Sequence, residues 1–341
     1  MRVLTRLFLV LWLSGLAFAG EAPGFHVGGR FAVPGDGGFD YITFDGASNR
    51  LYLSHGAEVN VLDADSGKIL GKVDDTRGVH GIAIVSGLHR GFTTNGREGT
   101  VSVFDTESLQ TLKKIAVDKD PDFIRYDPGT GRILVCHGDA AEITEIDPDK
   151  ESVIGKIDLG SGAEASVIDA HGMGFVNLEE QAMVASFDPQ ALVAKQKYPI
   201  TGCRTPTGLA LDAVHGRLFI GCRSKVMAVM DTGTGKVIAT LPIGGRVDAV
   251  VFDEDNRLIF CSNGDGTVSV IRQKTPDEYE SLGDITTEPG AKTMAFDPKT
   301  KRLFLPTAEM EQTPGVEGQR ARLRPKPGTF HVIVVERQRE R

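Results

Sequence analysis

Short apolar runs of four to six residues alternate with turn-forming clusters along nearly the whole chain, and no stretch sustains the 3.6-residue period of an amphipathic helix. The runs recur in a fixed order. One unit reads TFDGASNRLYLSHGAEVNVLDADSGKILGKV; later units read RYDPGTGRILVCHGDAAEITEIDPDKESVIGKI, ALDAVHGRLFIGCRSKVMAVMDTGTGKVIATL, VFDEDNRLIFCSNGDGTVSVI and AFDPKTKRLFLPTA. Each opens with an apolar strand ending in Asp, turns through Gly or Asn, meets a basic residue, and continues through further β-rich runs. The anchors are Asp45, Val85 (where the Asp is missing), Asp127, Asp169, Asp212, Asp253 and Asp297, spaced 40, 42, 42, 43, 41 and 44 residues apart. Seven equal units of four short strands predict an all-β fold, a seven-bladed β-propeller of four-stranded antiparallel blades.

The two ends predict how the ring closes. After its second strand the seventh unit has only one more, in FHVIVVER (Phe330 to Arg337). An orphan strand, FHVGGRFAV (Phe25 to Val33), precedes the first unit and resembles the fourth strands of the others. Donating this N-terminal strand to blade seven closes the last blade and hides both sheet edges.

Upstream of that strand, Met1 to Ala19 has the pattern of a secretory signal: Arg2 and Arg6, an apolar run from Leu7 to Phe18, and a small-x-small site at Ala17-Phe18-Ala19. The apolar run is short for a membrane span. The expectation is a periplasmic or secreted protein with one propeller domain over 20–341. Gly, at 41 of 341 residues, is in excess, which seven sets of turns account for. Losing Arg2 and Arg6 leaves 36 basic against 46 acidic residues, a net charge of −10, which disfavours broad binding to nucleic acid. The single Trp, Trp12, lies within the signal, which argues against propellers with a Trp signature.

TTNGREGTVSVFDTESLQTLKKI (Thr93 to Ile115) and FCSNGDGTVSVI (Phe260 to Ile271) carry a resemblance to the YVTN-repeat (YncE-like) family of seven-bladed propellers. The resemblance covers essentially the whole mature chain, with GMGFVNLEEQAMVASFD in unit four departing most. It implies an exported binding or surface protein. Some relatives are implicated in nucleic-acid or cell-surface binding, and related propellers host lactonases and lyases.

Stacking the repeats identifies residues that share the mouth of the central channel. Five positions before each anchor stand Asp40, His80, Asp122, Glu164, Thr207, Asp248 and Lys292. Five positions after the common basic residue stand His55, Asn95, His137, Leu178, Cys222, Ser262 and Thr307. His55, His80, His137 and Asp122 form a candidate divalent-metal set, because imidazole and carboxylate together suit borderline metals. The same groups could act as general acid and base, or simply line a water-filled channel. Arg77, Lys119, Arg204 and Arg246 enter the same mouth on loops and, with Lys292, could hold an anionic ligand. An insertion from 308 to 329 in blade seven holds the only basic cluster, Arg320, Arg322, Arg324 and Lys326, a candidate partner-binding loop or lid.

Of four cysteines only Cys203 and Cys222 map to the same end of one blade, making them the candidate disulfide; Cys136 and Cys261 are expected as buried thiols. GxSxG, Walker, HExxH and CxxCH motifs are absent from the sequence. Three functions therefore stay open for an expected monomer: binding or scaffolding of a small polar or anionic ligand or a protein at the mouth; metal-assisted hydrolysis or lyase chemistry there; and nucleic-acid or surface binding through the basic loop.

Overall fold

A computed structural model describes residues 24–312 and 323–338. The signal-like segment, Arg320 and Arg322 lie outside the described residues. Seven four-stranded antiparallel sheets form a ring, with each blade's first strand innermost. In blade one these strands are Phe39–Asp45, Arg50–His55, Glu58–Asp63 and Ile69–Val73. The first strands of blades two to seven are Val79–Val85, Pro121–Asp127, Ser166–Ile168, Pro206–Asp212, Val247–Asp253 and Ala295–Asp297.

Burial explains the apolar pattern. Second and third strands are covered on both faces by neighbouring blades, so they read as continuous apolar runs such as RLYLSH and TVSVFD. Fourth strands lie at the perimeter and alternate inside and out, as in VIATLP. The core is a set of inter-blade layers. Tyr52, Val59 and Val61 of blade one meet Ile82 and Phe104 of blade two, and Leu134 and Cys136 of blade three meet Val176 and Leu178 of blade four. Gly91 lies beneath the Phe104 ring, 2.0 Å from where a Cβ would sit, so any side chain there would displace the ring.

The repeated Asp is a turn device. Asp45 accepts hydrogen bonds from the Ala47 amide at 3.1 Å and from Ser48 Oγ at 2.5 Å, and Asp127 accepts from the Thr130 amide at 2.7 Å. A second Asp does the same at the end of the third strand in blades one to five, as Asp105 does for Ser108. Blade two, which has Val85 in the first position, makes a single 3₁₀ turn over Ser86–Leu88 instead. Ser86 Oγ then donates to Asp45 Oδ1 of blade one at 2.9 Å, so one carboxylate serves two blades.

Blade seven is built from both ends of the chain. Phe25–Ala32 pairs antiparallel with His331–Arg337, which pairs with Arg302–Thr307. Phe25 packs edge-on against Phe260 of blade six at 5.3 Å, and Arg30 and His331 both reach Glu288, at 2.6 and 3.0 Å. The insertion leaves this blade as a two-stranded arm, Met310–Gln312 against Leu323–Pro325. Cys203 and Cys222 form a disulfide with Cα atoms 5.6 Å apart, while Cys136 and Cys261 are buried free thiols.

Candidate functional site

The residue five before each anchor is the second of an innermost strand or, for Glu164 and Lys292, stands two or three residues before one, so seven side chains from seven blades converge on one mouth. Six of them are ionisable. His80 Nδ1 lies 2.8 Å from Asp40 Oδ2 and 3.5 Å from Asp122 Oδ1. Lys292 Nζ lies 3.1 Å from Asp40 Oδ1 and also pairs with Asp248. The seventh, Thr207, donates its hydroxyl to the Val247 carbonyl at 2.7 Å and leaves the mouth open.

Two further charges enter from the residue just after each second strand. Around the ring that residue is Gly56, Gly96, Gly138, Glu179, Arg223, Gly264 and Ala308. Where it is Gly, the space belongs to a neighbour: a Cβ on Gly96 would meet His80 at 2.9 Å. In blades four and five it is charged. Arg223 bridges Glu179 at 3.0 Å and Asp248 at 3.1 Å. Sequence reasoning missed Glu179 and Arg223. The signal available was a charged residue in a column otherwise filled by Gly or Ala.

Together these contacts make a string of charges around the mouth: Asp122, His80, Asp40, Lys292, Asp248, Arg223, Glu179, Glu164. Signs alternate until the last step. Burial pushes Glu164 up to about 10, helped by its hydrogen bond with Glu179 and by the field of Asp122. Burial and the Asp40 charge likewise push Asp122 up to about 7. Asp40 goes the other way: burial raises it, but the His80 hydrogen bond and Lys292 together hold it below the usual carboxylate range. The hydrogen bond to Asp40 raises His80 despite its burial, so the imidazolium is favoured.

Beneath the charges the channel wall becomes largely uncharged, with apolar side chains and polar backbone sharing it. A cavity of about 210 Å³ is lined by Tyr41, Phe123, Ile124, Ala165, Leu209 and Met294 among others, and it reaches up to Asp248. Tyr41 and Phe123 meet edge to face across it at 5.7 Å. Burial and the surrounding carboxylates keep the Tyr41 hydroxyl protonated, which places it within the field of the mouth as a donor.

The three-histidine cluster expected from the repeats does not form. Among the described residues, the set with metal-ligand proximity is Asp40, His80 and Asp122, whose donor atoms lie within 4.8 Å of one another. His55 and His137 end second strands, one strand out from the channel, and are 2% and 0% exposed. Their rings point into the blade. His137 Nε2 lies 2.9 Å from Thr144 Oγ1, and its Nδ1 lies 3.1 Å from the Lys119 carbonyl. His55 Nδ1 lies 3.0 Å from Asn60 Oδ1, and the ring sits on Phe330. Asn95 and Asn263 occupy the same place and bridge Thr100 with Ser102 and Thr267 with Ser269 at 2.8–3.1 Å. This column is a hairpin fastener.

The flanking basic residues also stand apart. Arg77 is largely exposed, 3.9 Å from Glu98, and Arg204 and Arg246 are exposed on the rim. Arg324 and Lys326 of the insertion pair with Glu311 at 2.8 Å and Glu309 at 2.7 Å, so their charge is locally neutralised.

No family model matches the chain, and no curated protein matches it in sequence. Solved structures do share its architecture. Hydrazine Synthase from Kuenenia stuttgartiensis aligns with a TM-score of 0.69 at 16% identity, over 86% of this chain and 95% of that one. A chain of a Mitotic Checkpoint Complex aligns with a TM-score of 0.72 at 15% identity, over 89% and 95%. At such identities the likeness carries the fold and leaves function to the site. The chain is a seven-bladed β-propeller.

Proposed function

We propose that this propeller is an exported binding protein of the YVTN type, whose small-molecule ligand sits at the charged mouth of the channel. One observation carries the reading: eight ionisable side chains from all seven blades converge over a cavity of about 210 Å³ that no side chain fills. A merely structural mouth gains nothing from gathering carboxylates whose burial raises them to about 7 and about 10. The Cys203–Cys222 disulfide supports export, since such bonds persist in oxidising compartments. The Asn95 and Asn263 hairpins support the YVTN assignment.

Metal-assisted hydrolysis or lyase chemistry is the second reading, favoured by the Asp40, His80 and Asp122 donor set. Against it, Asp40 already holds both Lys292 and His80, so a metal there would have to displace one cation and sit beside the other. Nucleic-acid or surface binding through the insertion is weakened by the pairing of Arg324 and Lys326 with acidic neighbours.

A thermal-shift panel of divalent metals, carboxylates, phosphates and amines tests the reading. At least one class should raise Tm in the wild type and lose that effect in Arg223→Gln and Asp122→Asn. A panel in which no compound depends on either residue would refute a ligand site at the mouth. Loss of hydrolytic activity with chelation would move the assignment to the second reading.

A further inference from the structure

The string of charges around the mouth has one break. Asp122 and Glu164 sit at its two ends, on adjacent blades three and four. Five carboxylates in the string meet only three cationic side chains, His80, Lys292 and Arg223, and only His80 comes near this junction. His80 contacts Asp122 only at 3.5 Å, and Asp122 Oδ1, cut off from solvent, has no hydrogen-bond partner. An acceptor in that state calls for a donor from elsewhere. Directly after these two acids in the chain come Phe123 with Ile124 and Ala165, and these residues line the cavity. The cavity is lined by all seven blades, and at blades three and four its lining follows directly on the two acids that flank the gap.

We infer that the mouth binds a small amphiphilic organic cation, with its ammonium group between Asp122 and Glu164 and its apolar end in the cavity beside Tyr41 and Phe123. The inference rests on the mouth being a ligand site, as proposed above, and names the ligand's chemical class. An ammonium group supplies the donor that Asp122 Oδ1 lacks and takes the place of the proton that Glu164 otherwise holds. The aromatic faces of Tyr41 and Phe123 favour a cation at the cavity entrance. Size limits the apolar part: a cavity of about 150 Å³ already holds benzene, so 210 Å³ fits a phenyl or short branched alkyl group. An inorganic divalent ion would use the carboxylates and leave the cavity unexplained. An anionic ligand would meet the surplus of carboxylates.

Calorimetric titration of the full mature chain with benzylammonium, benzyl alcohol, benzoate, methylammonium and calcium chloride separates these cases. Benzylammonium should bind at least tenfold more tightly than benzyl alcohol, and more tightly than methylammonium, with affinity falling as NaCl rises. Asp122→Asn and Glu164→Gln should each remove most of the advantage over benzyl alcohol. Ala165→Phe should remove the advantage over methylammonium while sparing methylammonium itself. Benzyl alcohol or benzoate binding as tightly as benzylammonium would overturn the inference, and so would calcium binding that Asp122→Asn abolishes; either result leaves a ligand site at the mouth. No binding by any probe, together with an unresponsive thermal-shift panel, would overturn both.

Discussion

Lys292 of blade seven reaches Asp40 of blade one at 3.1 Å, across the junction where the first blade meets the last. The same ammonium pairs with Asp248 of blade six, so one side chain holds three blades at the mouth. Lys292→Met would leave the buried Asp248 carboxylate and the half-buried Asp40 carboxylate without their shared cation. Because Lys292 keeps about a third of its surface exposed, the cost is discounted from that of a fully buried pair to about 1–2 kcal/mol. Near neutral pH, Tm should fall by roughly 2–6 °C. Asp40 is held below its ordinary range, so its share of stability is present above the unfolded pKa near 3.8 and is lost as pH falls through the folded value. The deficit of the variant should therefore shrink below about pH 4, as calorimetry at pH 3.5 and 7 would show.

Glu145 gives the opposite pH dependence. It is fully buried in the third strand of blade three beside Arg132, and burial pushes it up to about 7 against an ordinary 4.5. A raised acid contributes stability below its unfolded pKa and loses it as pH rises through the folded one. The wild type should lose stability between about pH 4.5 and 7 from this group. Glu145→Gln escapes that loss, so its Tm relative to wild type should be higher at pH 8 than at pH 5. A difference that is flat or reversed with pH would contradict the assignment.

Removing the closing strand, so that the chain begins at Pro34, strips Phe25 and Val27 from the layer between blades six and seven, and Phe31 and Val33 from the layer between blades seven and one. With partly buried side chains counted at roughly half value, the loss is about 4–8 kcal/mol. Tm should fall by roughly 6–12 °C. Amide exchange should accelerate first in His331–Arg337, whose pairing partner is gone. An unchanged Tm would refute closure by this strand.

The disulfide closes a loop spanning 19 residues. Cys203→Ser should cost about 2–4 kcal/mol, and Tm should drop by roughly 3–6 °C. Thiol titration of unfolded, unreduced wild type should count two thiols, from Cys136 and Cys261. A count of four would disprove the bond.

His137→Ala tests the reassignment of the second-strand column. Thr144 Oγ1 would keep only its 3.2 Å bond to Glu142, and the Lys119 carbonyl would lose the ring, costing about 1–3 kcal/mol. Ligand affinity at the mouth should stay unchanged, because the ring points into the blade. A loss of mouth binding without loss of stability would return His137 to the site.

The fold was legible because a propeller writes one pattern seven times: the Asp anchors alone place every blade, and even Val85 falls at its proper interval. The first-strand column of the site was legible for the same reason, since Asp40, His80, Asp122, Glu164, Asp248 and Lys292 share one register position beside the axis. The second-strand column misled. Spacing along a repeat gives the height of a residue within a blade, but His55 and His137 lie one strand further out, where a side chain faces the next blade instead of the channel. Glu179 and Arg223 escaped notice for the converse reason. They occupy a turn position that is Gly or Ala elsewhere, and long side chains reach inward from there.

The pairing of Phe25–Ala32 with His331–Arg337 also has a consequence for how the molecule comes to exist. The first strand made is the last to find its partner, more than 300 residues later along the chain. Until then blade seven lacks its outer strand and blades one and six lack a finished neighbour. A nascent or prematurely terminated chain thus shows an open edge that a finished one hides. Ring closure acts as a proofreading step on chain length, and the same open edge is where two unfinished molecules would exchange strands.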